Sequence, residues 1–100
     1  MRYSHLEEAL IAHGASLEDV VMVNNPPGYY VANGRSSLSI PFGDLSTVLE
    51  VADRYGARYL LLEIDQLQGE DSLFNNPGDR PGLRYLGTLD ETRMFEFVSQ

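Results

Sequence analysis

The sequence contains no lysine and no cysteine, and each absence closes a class of chemistry. Without lysine there is no Schiff-base amine, no lysine general base and no P-loop lysine to grip a phosphate; all seven basic residues are arginine. Without cysteine there are no disulfides, no thiolate nucleophile and no cysteine zinc site. No apolar run approaches the roughly 20 residues that span a bilayer, and the N-terminus lacks the basic-then-apolar order of a secretory signal. Positive charge is scarce as well. The formal net charge of −8 repels phosphate backbones and anionic lipid heads, which disfavours binding to nucleic acid or to a membrane surface.

What is present suits one folded domain over residues 1–100. Hydrophobic residues make up 43% and charged residues 22%, enough apolar material for a core and no long polar tract. Ser4 and Glu7 are spaced as a capping box, and Leu6, Ala9, Leu10 and His13 share one face, so a helix is predicted over about 4–13, stopped by Gly14. Residues 19–24 hold a short β-branched run and read as a buried strand, broken by Asn24-Asn25-Pro26-Pro27-Gly28. Tyr29 to Asn33 suggests a short helix, and Ser37 to Ile40 a second strand.

The strongest pattern follows. Asp44 is placed to cap a helix whose Leu45, Val48, Leu49, Ala52 and Tyr55 form one apolar stripe, closed by Gly56. Tyr59 to Leu62 is continuously apolar, as expected of a strand buried on both faces. Residues 65–82 form a polar loop anchored by Leu73 and Phe74, and residues 84–89 and 93–98 alternate around Asp90-Glu91-Thr92 as a hairpin. The rhythm predicts an α/β fold. It is a small Rossmann-like layered sandwich with three parallel strands, crossover helices and a C-terminal antiparallel hairpin.

Ligands of open α/β sheets bind beyond the carboxyl ends of the parallel strands. That edge should gather Asn24, Asn25, Gly28, Tyr29, Tyr30, Asp44, Glu63 and Asp65, which we take as the candidate contact edge. Asparagine amides and tyrosine hydroxyls can bond sugar or peptide groups without charge. Asp44, Glu63 and Asp65 offer oxygen ligands to a divalent cation, against the alternative of a helix cap and solvated strand ends. No metal site is assigned. The Asn24 to Gly28 turn precedes a helical segment as phosphate loops do, but it lacks GxGxxG, GxxxxGK[ST] and lysine. His5, Glu8 and His13 do not have the spacing of HExxH, and Ser36, Ser37 and Ser39 lie in no GxSxG elbow. Tyr55, Tyr59 and Tyr85 are expected at the rim of the core with wetted hydroxyls. No catalytic residue and no cofactor is indicated.

Four stretches carry a resemblance. The run from Asp19 through Val-Val-Met-Val-Asn-Asn-Pro-Pro-Gly to Tyr30, then Gly34-Arg35 and Ile40-Pro41, then Asp53 through Arg-Tyr-Gly-Ala-Arg-Tyr-Leu-Leu-Leu to Glu63, and Gly82 to Gly87 resemble the soluble tail following the last membrane helix of bacterial polytopic glycosyltransferases. These are the dolichyl-phosphate-mannose protein mannosyltransferase-like proteins. The resemblance covers roughly residues 19–98 and rests on packing patterns. It implies part of a longer membrane protein, held at the extracytoplasmic face and partnered by the membrane-embedded portion, with a glycan or acceptor peptide as a further contact. The family's catalytic carboxylates lie between early membrane helices, so none transfers to this chain. Three functions therefore compete: a non-catalytic domain of such a parent, serving assembly, acceptor contact or stability; a stand-alone α/β module binding a ligand or protein; and, last in order, a free-standing enzyme with an acidic metal site.

Overall fold

The largely apolar stretches Val20–Val23 and Ala57–Leu62 pair side by side at the middle of a sheet, where both faces of each strand are covered. The computed structural model describes residues 2–24, 35–67, 69 and 72–98. Along these residues the elements are α1 (Arg2–Ala12), β1 (Val20–Val23), β2 (Ser37–Ser39), α2 (Leu45–Tyr55), β3 (Ala57–Leu62), β4 (Leu83–Leu89) and β5 (Thr92–Phe97). They make a mixed α/β domain with an open five-stranded sheet in the order β2-β1-β3-β5-β4. β1 runs parallel to β2 and to β3, whereas β5 is antiparallel to β3 and β4. The short helix expected over 29–33 lies outside the described residues. No helix among the described residues is long and apolar enough to cross a membrane.

Strand side chains alternate between faces, and here each face meets its own helix. Val21, Val23, Tyr59, Leu61 and Met94 point to one side, where Leu6 and Leu10 of α1 close over them. Met22, Leu60, Leu62 and Phe95 point to the other, against Val48 and Ala52 of α2 and against Leu73 and Leu83. Ala57 joins this second face despite its odd number, because the pairing steps from Val20↔Ala57 to Val21↔Tyr59. Arg58 is the extra residue of that bulge, and bulges re-aim side chains.

α2 forms as expected. Asp44 accepts from the Thr47 N–H at 3.1 Å, and Gly56, at φ 71°, donates its N–H to the Ala52 carbonyl. That left-handed cap suits glycine, which has no Cβ to clash. The stripe is narrower than predicted. Val48 and Ala52 are buried and Leu49 is on the rim, while Tyr55, in the last turn, is exposed.

α1 begins at Arg2, so Ser4 lies inside its first turn and the Ser4–Glu7 spacing does not mark its start. The Glu7 carboxylate is drawn instead to a buried arginine, Arg35. His13 follows the end of the helix and is exposed, with Gly14 at φ 98° turning the chain away.

The hairpin loop has two residues, Asp90 and Glu91, rather than the expected three; Thr92 pairs with Leu89 inside the ladder. Both loop residues have positive φ, 50° and 67°, as the type I′ two-residue turn that matches the strands' twist requires. Phe95 and Phe97 do share a face, and Leu73 does anchor the 65–82 loop. The Asn76 N–H reaches the Ser72 carbonyl at 2.9 Å, giving the loop one helical turn. Arg93 stacks over the Phe74 ring, 3.8 Å from its centroid, and donates to the Phe74 carbonyl.

Both borders of the sheet are guarded. β2 has only three residues. On β4, the N–H and C=O of Leu83 bond back to Arg80, and the Tyr85 N–H donates to the Asp79 carboxylate at 2.8 Å.

Candidate functional site

Because β2, β1 and β3 are adjacent and parallel, their carboxyl ends open on one edge, and the structure brings Asn24, Asp44, Glu63 and Asp65 to it. Asn25, Gly28, Tyr29 and Tyr30 lie outside the described residues. Asn24 ends β1 and uses both halves of its amide to hold the exit of β3. Its Nδ2 donates to Gln66 Oε1, and its Oδ1 accepts from the Glu63 N–H at 3.3 Å. Asp44 serves α2, accepting from the Ser46 hydroxyl at 2.8 Å as well as from the Thr47 amide and hydroxyl. The Ser46 hydroxyl, then the Thr47 amide, hold its carboxyl below the usual carboxylate range. Asp65 closes the long loop by accepting from the Ser72 hydroxyl at 3.1 Å and the Asn75 amide at 3.2 Å.

The three carboxylates raised as cation ligands thus have separate local tasks or positions. Among the described residues no group of three or more His, Asp or Glu side chains is placed to hold a metal ion. Between these polar ties the edge exposes two large apolar side chains, Phe42 at 93% and Ile64 at 56%. Phe42 is presented by the turn at Gly43, whose φ is 130° and where a Cβ would sit 2.9 Å from Thr47 Oγ1. Glycine is required there by both conformation and space.

The opposite edge carries a polar network that the sequence reading missed. Arg35, 3% exposed, forks onto Glu7, with Nε 2.8 Å from Oε1, and its Nη1 donates to the Ser16 and Asp19 carbonyls at 2.7 and 2.6 Å. Arg58 donates to Asp19 at 2.7 Å and to Glu96 at 3.1 Å, and Glu96 also accepts from Arg84. Burial opposes ionisation of Asp19, but the Ser16 amide and the Arg58 guanidinium outweigh it and hold its carboxyl below the usual range. A fork of five donors is what buried loop carbonyls and a carboxylate need together, and only arginine supplies it. The available signal was a charged residue flanked by apolar or aromatic neighbours in each of two strands, Arg58 in β3 and Glu96 in β5.

Tyr59 departs furthest from expectation. It is fully buried, its hydroxyl has no hydrogen-bond partner among the described residues, and burial pushes the phenol above its ordinary value. The neighbouring Arg58 guanidinium lies 5.2 Å from the ring centroid.

At this same amino edge an open groove of about 530 Å³ lies between the end of α2, the start of β3 and the end of β5. Comparison of the chain with protein-family models, with curated proteins and with solved structures gives no match.

Proposed function

We propose that this chain is a non-catalytic domain of a longer, membrane glycosyltransferase-like protein, held at the extracytoplasmic face. Its carboxyl edge contacts the membrane-embedded part of the parent or an acceptor glycan or peptide. We read its architecture as a small Rossmann-like layered sandwich, on the ground that β1 is parallel to both β2 and β3 and that the hairpin extends the sheet antiparallel. The resemblance over residues 19–98 supports the parentage.

One observation carries the non-catalytic reading. Three polar side chains at the carboxyl edge are spent on the fold: Asn24 on β3, Asp44 on α2 and Asp65 on the loop. Besides carboxylates already committed to local bonds, that edge offers outward two large apolar side chains, Phe42 and Ile64, as a contact surface does.

The test is to prepare the whole reading frame that contains this chain, with and without residues 1–100, and the isolated domain beside it. Several apolar spans of about 20 residues preceding the domain are expected. Transfer from a lipid-linked sugar should be absent from the isolated domain, and in the parent should fall on Phe42→Ser or Ile64→Ser. Turnover by the isolated domain, lost on mutating one of its residues, would overturn the reading. So would a reading frame without apolar spans.

A further inference from the structure

The groove at the amino edge lies across the sheet from the carboxyl-edge contact and is independent of it. Its floor is apolar: Leu49 and Ala52 of α2, Ala57 of β3, and Phe97 with Val98 after β5. Val98 remains 40% exposed, so this floor is not fully covered by the chain itself.

Its charges without an ion-pair partner among the described residues have one sign. Glu50 and Asp53 line it from successive turns of α2, both exposed, and neither is engaged by a cation or a hydrogen-bond donor among the described residues. The carboxyl end of α2, at Gly56, also opens here, and helix carboxyl ends favour cations. The cation on the wall among the described residues, Arg58, is already answered by Asp19 and Glu96. The chain as a whole adds its net −8.

A mostly polar trough with apolar side chains on its floor and unanswered carboxylates along one rim suits a long cationic side chain, which lays its methylene stem on the apolar part and keeps its charge at the water. We infer that the groove docks a basic segment of a partner protein, with a lysine or arginine stem on the Leu49–Phe97–Val98 floor and its charge reaching Glu50 and Asp53. The volume is of the size that takes up a few side chains. Charge complementarity of this kind selects the partner more than it tightens the complex.

The experiment is amide-shift mapping of the whole chain by NMR at low salt with three acetylated hexapeptide amides. One alternates lysine with leucine, one glutamine with leucine, and one lysine with glycine. The first should shift the amides of Gly56, Ala57, Gly82 and Val98, and should bind about threefold to tenfold more tightly than either of the others. Glu50→Gln with Asp53→Asn should remove that preference with the spectrum elsewhere unchanged, and raising the salt should erode it. Equal binding of all three peptides, shifts scattered over acidic positions remote from the groove, or an undiminished preference in the double variant would each overturn the proposal. Hexylammonium binding as tightly as the lysine–leucine peptide would overturn it in favour of a small-amine site.

Discussion

Arg35 is the residue whose loss should be felt most widely. It joins α1, through Glu7, to the loop before β1, through the Ser16 and Asp19 carbonyls. Arg35→Ala leaves a shielded carboxylate and two carbonyls without their donor and should cost about 3–5 kcal/mol in denaturant unfolding. Arg35→Lys keeps the charge and loses the fork, so it should recover only a minor part of that. A conservative result for lysine would show that charge alone holds this corner. Tyr59 makes the opposite prediction. Its hydroxyl is buried without a partner among the described residues, so Tyr59→Phe should raise stability by about 1 kcal/mol. The alkaline limb provides a second readout. The folded phenol is raised above the unfolded value of about 10, so the neutral form stabilises the fold fully below pH 10 and loses that contribution as the pH climbs through the folded value. The wild type should therefore lose stability at high pH relative to Tyr59→Phe.

Elements differ in how far local chemistry specified them. α2 was legible at both ends, because Asp44 and Gly56 act on backbone groups within four residues of themselves. Its apolar stripe was legible too, but not its width, since only the position of β3 decides that Leu49 is a rim residue and Tyr55 an outer one. Accordingly Leu60→Ala, under the helix, should cost about 2–5 kcal/mol and Leu49→Ala clearly less. Equal losses would place the buried face of α2 one residue away from where it is described. The hairpin was legible as a pair of strands, while its turn was not, because glutamate is a poor signal for positive φ. Glu91 at φ 67° bears that cost, and Glu91→Gly should raise the denaturant midpoint by the equivalent of about 0.5 kcal/mol without changing the slope. The candidate edge follows the same division. Its location came from the parallel strands, but the tasks of its side chains did not, because Asn24 meets Glu63 and Gln66 only across many intervening residues.

At the scale of the whole molecule, the two faces of the sheet have separate cores, one under each helix, joined through the backbone of β1, β3 and β5. The guarded border of β4 has a bearing on how the protein behaves in company. A bare strand is a template on which a second chain can crystallise its own backbone, layer upon layer. Here the segment at Asp79 and Arg80 occupies the first positions of that template. Asp79→Ala vacates one of them, at the Tyr85 amide, and should shorten the lag before thioflavin-positive fibrils at concentrations where the wild type stays clear. An unchanged lag would mean that the short bond to Asp79 is decoration. The expected acceleration would make this aspartate a guard against self-propagating growth, acting on the solution and not on the fold.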